Sequence, residues 1–201
     1  VLIGDPNQLA NVNQASHPGS SGLSSVEFIL GDAKTIDPKK GIFLEKTRRL
    51  NSEICNFISD AFYDKRLSSL PENDNRKILF KNPIGNIESQ GIHTIYADHV
   101  GCSQKSVEEG TIIKKLFNDL IAQKVKEIDG KERKININDI LIVTPFNVQV
   151  NYLQSILPEG ARVGTIDKFQ GQEALIVLIS MVSSSAEDMP RNIDFLFSKN
   201  R

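Results

Sequence analysis

Apolar positions along the 201-residue chain fall into short continuous runs and helical stripes, separated by polar loops. Residues 1–3 (VLI) read as the end of a buried strand, followed by the loop 4-GDPNQLANVNQASHPGSSG-22. Residues 23–30 carry a short helical pattern that Gly31 stops. A strand-like run at 41–47 (GIFLEKT) leads to Asn51, whose carboxamide suits a helix N-cap. The helix it opens is expected to bury Ile54, Phe57, Ile58, Ala61 and Phe62 on one face. Residues 67–90, rich in Pro, Asn and Ser, read as loop with one short strand at 78–80.

Further on, residues 92–97 read as a strand. The clearest helix runs from Val107 to near Val125, with Ile112, Ile113, Leu116, Phe117, Leu120 and Ile121 at helical spacing. A polar, hairpin-like insert at 127–138 leads into a strand at 139–144. A helix over 147–157, a strand near 162–166 and a last strand at 174–182 complete the pattern. The runs ILIV and ALIVLISMV are what strands buried on both faces require. Strand–helix–strand alternation of this kind predicts an α/β fold, a mostly parallel sheet with helices on both sides. Ligands of such sheets sit beyond the carboxyl ends of the strands. GDPNQL, TPFNVQ and TIDKFQGQE each follow a strand, so one shared site is physically sensible.

Charge refines this picture. Lys and Arg number 24 against 25 Asp and Glu, so no global basic field exists and a polyanion site has to be a local patch. Basic residues do concentrate around Lys46, Arg48 and Arg49 and in 131-KERK-134, the latter reading as a solvated turn. Cys55 and Cys102 lack metal-ligand spacing, and Cys55 lies on an apolar helical face as a small core residue. A reducing, cytoplasmic setting is the expectation. His17, His93 and His99 form no pair at ligand spacing. No apolar segment reaches the ~18 residues that would span a bilayer, and no signal peptide is visible, so no membrane partner is expected.

Four clusters carry candidate chemistry. In 4-GDPNQL-9 a tight turn presents the amides of Asn7 and Gln8, which suit a phosphate oxygen or a water, although GDP is also ordinary turn chemistry. In 46-KTRRLNSEI-54 two arginines precede a helix start, and guanidinium forks match phosphate; a solvated basic turn is the plainer reading. In 144-TPFNVQ-149, Thr144 suits a phosphate contact and Phe146 suits base stacking, or else Phe146 is core and Thr144 a helix cap. In 165-TIDKFQGQE-173, Asp167 and Glu173 suit a ribose hydroxyl or a switch loop, and Gly171 permits close backbone approach; the alternative is an Asx-turn between strands.

In order and spacing these clusters resemble the second half of a superfamily 1 helicase, of the branch that includes the nonsense-mediated-decay RNA helicase. GDPNQL resembles motif III, LEKTRRLNSEICNFISDAFYDKRL motif IV and its helix, ILIVTPFNVQV the next strand and loop, and VGTIDKFQGQEALIVLISMV motif V. The loop 14-QASHPGSSGLSSVE-27 is similar to one in bacterial proteins that join such a helicase to a RecB-like nuclease. The resemblance implies a P-loop NTPase (RecA-like) second helicase domain. Residues 1–40 would be the edge of the first RecA-like domain, and 41–201 the second domain, ending before motif VI is complete.

The same resemblance implies roles. Gln8 is the γ-phosphate sensor and Arg49 the arginine that neutralises γ-phosphate charge. Glu173 lies near the ribose, and Gln170 belongs with the nucleotide group. Thr144, Pro145, Phe146 and Thr165 face a single strand of DNA or RNA. An adenine-stacking aromatic is usual where Arg48 stands, so a guanidinium plane takes that place. Ala10 replaces a common Pro, and Leu50-Asn51-Ser52 replaces Met-His-Pro. ATP and Mg²⁺ are the implied cofactors, and the Mg²⁺ ligands lie outside this chain, which contains no G-x-x-x-x-G-K-[ST] P-loop and no acidic Walker B strand. The chain is therefore expected to be an excised fragment of an ATP-dependent helicase or translocase, inactive in ATP hydrolysis by itself. The implied partners are the single strand, the N-terminal RecA-like domain of the same parent and a RecB-like nuclease segment. A non-catalytic module that binds nucleic acid or a partner is the alternative.

Overall fold

The computed structural model describes residues 1–8, 18–185 and 187–189. Leu9, Ala10, His17 and the first part of the 14–27 loop lie outside these residues, as does the 193–201 stretch with Arg201. The described residues form two compact units, one within residues 1–76 and the other from residue 77 onward.

In the first unit, helix α1 (Ser25–Leu30) begins at a capping box: the Ser24 hydroxyl accepts from the Glu27 N–H, and the Glu27 carboxylate accepts from the Ser24 N–H. Gly31, at φ 59°, ends it in a left-handed turn as expected. Strand β1 (Lys46–Thr47) pairs in parallel with β2 (Ser68–Ser69). Between them runs α2 (Ser52–Phe62), capped by the Asn51 carboxamide oxygen on the Ile54 N–H at 2.9 Å.

The face of α2 differs from the sequence expectation. Cys55 and Ser59 are its buried residues, whereas Phe57 is 63 % exposed and Ala61 is exposed. Ser59 is at home inside because its hydroxyl accepts the Leu67 N–H at 3.1 Å. Residues 1–3 form no strand and are exposed, since no described strand offers them a ladder.

The second unit holds the core. Strands β7 (Arg162–Gly164), β6 (Ile140–Val143) and β8 (Ile176–Ile179) form a parallel sheet in the order β7-β6-β8. Helix α4 (Asn147–Ile156) connects β6 to β7, and α3 (Val107–Ile121), which precedes all three strands in the chain, packs beside it. Ile113, Phe117 and Leu120 of α3 and Val150 and Leu153 of α4 pack with Ile140, Ile142 and Val163, with Ile176 and Leu178 against them. Continuous burial holds for β6 but not for the last run. Val177 is 49 % and Ile179 64 % exposed, because β8 is the outer strand and these residues belong to the face away from that cluster. The two helices thus cover one sheet face rather than lying on both.

A separate antiparallel sheet orders β3 (Lys77–Leu79), β4 (Lys124–Lys126) and β5 (Glu132–Lys134), so the polar insert is a hairpin as predicted. Residues 92–97 form no strand; Ile92 and Tyr96 are exposed. Among the described residues no helix is long and apolar enough to cross a membrane.

Candidate nucleotide and nucleic-acid site

The predicted site residues divide between the two units. In the first, the turn bearing Arg48 and Arg49 is built by short-range and long-range hydrogen bonds. The Thr47 hydroxyl accepts from the Arg49 N–H at 3.2 Å and the Leu50 N–H at 3.5 Å. From behind, the Asn73 carboxamide nitrogen reaches the Thr47 and Leu50 carbonyls and the Ser69 hydroxyl, each at 3.0 Å. Asp74 accepts from both the N–H and the hydroxyl of Ser52, at 2.7 and 2.5 Å. These bonds from Ser52 hold the Asp74 carboxyl below its ordinary range. Arg48 and Arg49 stand exposed on this clamped turn, just ahead of the α2 N-terminus. The α2 N–H groups behind them are already taken, Ser52 by Asp74 and Ile54 by Asn51, so it is the two exposed guanidinium groups that suit a phosphate group.

Gln8 is placed elsewhere in the same unit. Asp5 organises its turn, accepting from the Asn7 N–H at 3.0 Å and from the Gln8 carboxamide at 3.3 Å. The turn is moored to the far end of α2: Asn7 donates to the Phe62 carbonyl at 3.3 Å, and the Tyr63 hydroxyl donates to Asp5 at 2.6 Å. Burial, the bond to Asp5 and the charge of Asp5 push the Tyr63 phenol well above its ordinary pKa. The Gln8 and Arg49 turns are thus held at opposite ends of an 11-residue helix, about 16 Å at 1.5 Å per residue.

The second unit brings its candidates together. Thr144, Pro145 and Phe146 leave the carboxyl end of β6, and Thr165 leaves that of the neighbouring β7. The Thr144 N–H donates to the Gly164 carbonyl at 3.2 Å, joining the two strand ends. Thr144 is fully buried and its hydroxyl has no hydrogen-bond partner. Phe146 is 7 % exposed and packed in the core, as the plainer reading had it, but the N-cap position of α4 is Phe146 itself and not Thr144.

After Thr165 the chain makes a 3₁₀ turn, Asp167–Phe169, in which Lys168 donates to the Thr165 carbonyl and its ammonium to the Val163 carbonyl, both at 3.1 Å. Gly171, at φ 77°, turns the loop outward. Gln170 and Glu173 are exposed on it. Arg162 braces its base, donating to Gln172 at 2.9 Å and to the Asn138 carbonyl at 2.7 Å.

Sequence reasoning missed the polar groups behind this loop. Gln149, fully buried, accepts the Ser106 N–H and donates to the Ser106 carbonyl, both at 3.0 Å, and to the Ser180 hydroxyl at 3.1 Å. Glu109 accepts from Ser180 at 2.6 Å, from the Val182 N–H at 2.9 Å and contacts His99 at 3.1 Å. This network ties the end of β8 to α3. Gln149 closes the TPFNVQ cluster, which was its one visible signal; Asn73, inside a loop rich in Pro, Asn and Ser, gave none.

The parallel sheet, its flanking helices and the loops at its strand ends define an α/β domain of the RecA-like, P-loop NTPase class. An AAA domain family model matches residues 29–201, and the chain belongs to that family, as a superfamily 1 helicase-type portion of the branch that includes the nonsense-mediated-decay helicase. It is 27 % identical over 92 % of its length to the DNA polymerase alpha-associated DNA helicase A of Saccharomyces cerevisiae, covering 29 % of that protein. To the protein of the same name in Schizosaccharomyces pombe it is 26 % identical over its whole length, covering 30 %. An ATP-dependent helicase of Methanocaldococcus jannaschii is 29 % identical over 72 % of the chain. The chain thus spans about three tenths of the first two relatives. No solved structure matches it.

Proposed function

We propose that this chain is the C-terminal motor portion of an ATP-dependent helicase or translocase acting on single-stranded DNA or RNA. Residues 1–40 then contribute the edge of a first RecA-like domain and 41–201 the second domain. ATP with Mg²⁺ binds in the parent protein, whose P-loop domain supplies the metal ligands. The observation that carries this reading is the clamped turn that presents Arg48 and Arg49 ahead of α2. Phosphoryl transfer needs positioned positive charge more than covalent help from the protein, and a stapled arginine turn supplies it. Arg49 neutralises the γ-phosphate, Arg48 stacks beside the base, and Gln170 and Glu173 attend the nucleotide; Gln8, held here at the far end of α2, would have to swing toward Arg49 in the parent to sense the same phosphate. Thr144, Pro145, Phe146 and Thr165 form the strand-facing loops, with Thr165 making the polar contact and Phe146 anchoring the β6 loop. The helicase names of the relatives support the substrate class, and the likeness of residues 14–27 supports a fused RecB-like nuclease in the parent.

The test is ATP turnover, with and without single-stranded DNA or RNA, by this chain and by the parent chain that includes a P-loop domain. Strand-stimulated turnover by the longer chain alone, abolished by Arg49→Ala, is the expected result. A longer chain that binds strands yet never turns over ATP would make this a non-catalytic nucleic-acid-binding or partner-binding module.

A further inference from the structure

The antiparallel sheet β3-β4-β5 lies apart from the strand-end loops, and its charge is arranged by register. In an antiparallel pair, residues directly opposite share a face, and neighbours along a strand alternate. Val125 is fully buried, opposite Ile78 on one side and Arg133 on the other, so these three belong to the inner face. The outer face then carries Lys77 opposite Lys126, and Lys124 opposite both Leu79 and Lys134. Lys77, Lys124 and Lys134 are exposed and Lys126 half-buried. Among the three strands, Glu132 is the carboxylate on this face, paired with Lys124 at 3.3 Å.

The rest of 131-KERK-134 is neutralised within the hairpin. Arg133 is held by Glu127 at 2.8 Å and Asp139 at 2.6 Å, and Lys131 by Asp129 at 2.7 Å. Arg133 and Lys131 are thus paired at the hairpin's inner face and tip, and four lysines gather outside around one carboxylate, Glu132, which pairs with Lys124 and stands opposite Lys126. Two directly opposed Lys–Lys pairs disfavour strand pairing. A face shaped for solubility alone mixes signs. Lysines on edge strands also guard against edge-to-edge pairing, which accounts for Lys77 and Lys134 but not for Lys124 and Lys126 on the central strand.

We propose that this lysine face is a second nucleic-acid contact that grips phosphodiester backbone, apart from the strand-end loops. The inference rests on the reading of the parent as a nucleic-acid motor. The lysine side chains act as mobile point charges suited to phosphate, and no aromatic residue stands on the face to read or stack bases. Leu79 is its one apolar member, which argues against insertion into a lipid surface. The chain's net charge of −1 means that this attraction is local.

The experiment measures binding of the 201-residue chain to single-stranded DNA, single-stranded RNA and a duplex, between about 50 and 200 mM salt. The variant is Lys77→Gln/Lys124→Gln/Lys126→Gln/Lys134→Gln, read beside Thr165→Ala and a thermal melt. We expect roughly tenfold weaker binding at low salt and a salt slope shallower by about 2–3, from three or four phosphate contacts worth about 0.7 each on single strands. Its melting temperature should be unchanged or higher, because like charges have been removed. Unchanged affinity and slope on every nucleic acid overturn the proposal, as does a loss seen only on vesicles of anionic lipid. If Thr165→Ala weakens binding while the lysine variant does not, this inference fails and the motor reading stands. If the wild-type chain binds no nucleic acid and the longer chain shows no strand-stimulated ATP turnover, both fail.

Discussion

The Asn73 carboxamide donates to the Leu50 carbonyl at 3.0 Å, and through this and its partner bonds it fixes the turn that presents two arginines. Asn73 is 3 % exposed, and its removal takes one of two donors from each carbonyl, leaving Thr47 with the Leu70 N–H and Leu50 with the Ser69 hydroxyl. Asn73→Ala should cost about 1–2 kcal/mol, from the lost hydrogen bonds rather than from stranded groups. Urea unfolding measures that loss. In the longer, P-loop-containing chain the same variant should lower ATP turnover with Arg49 still in place. Full activity in a destabilised variant would detach the clamp from the chemistry.

Gly110 on α3 meets Tyr152 of α4 closely enough that an added Cβ would lie 2.5 Å from the ring. Alanine normally stabilises a helix interior by about 1 kcal/mol over glycine. Here overpacking against the ring, about 1–3 kcal/mol, should win. Gly110→Ala is therefore expected to lower the melting temperature, and adding Tyr152→Leu should restore part of it. A single variant that melts higher than the parent chain would show that α3 and α4 yield easily.

These contacts mark the limit of what the residue pattern reveals. The helix caps at Ser24 and Asn51, the end of α1 at Gly31 and the buried run of β6 are local, and their signals lie within a few residues of the feature. The buried stripe of α2 was misjudged because Ser59 counts as polar in a pattern but is satisfied inside by the Leu67 N–H. Residues 1–3 and 92–97 have strand composition yet no ladder here, since a strand exists only through its partner. At the site, the sequence locates the arginine turn and the two strand-end loops. Asn73, Gln149 and Glu109, which hold those pieces, act across long stretches of chain, and of the three only Gln149 carries a local mark, as the end of TPFNVQ.

Phe146 and Thr165 separate packing from contact. Phe146 is nearly buried, so Phe146→Ala should cost about 3–5 kcal/mol of stability, and any loss of strand binding would follow from unfolding. Thr165 is half-buried at the end of β7, and Thr165→Ala should leave the urea midpoint within about 0.5 kcal/mol of wild type. Weaker binding to single strands in that variant, at unchanged stability, assigns the contact to the hydroxyl. Unchanged binding would remove Thr165 from the strand-facing surface.

Asp139 offers a test by pH. Its carboxylate accepts both Arg133 guanidinium nitrogens, at 2.6 and 2.8 Å, and the Asn136 N–H at 2.7 Å. Burial by itself would raise its pKa, but the Arg133 hydrogen bonds, the Asn136 N–H and the guanidinium charge outweigh burial, and the carboxyl is held below its ordinary 3.8. A depressed folded-state pKa contributes stability that is fully present above the unfolded value and lost as pH falls through the folded one. Asp139→Asn should therefore destabilise the chain most near neutral pH, and the gap to wild type should close as pH falls through the depressed folded-state pKa, below 3.8. Urea unfolding at neutral, mildly acidic and strongly acidic pH reads this directly. A gap that stays constant across the range would mean that shape and hydrogen bonding, rather than the carboxylate's charge, hold the hairpin base to β6. Arg133→Lys sharpens the result: a single ammonium lacks the two-pronged fit, so part of the loss should appear with the charge retained.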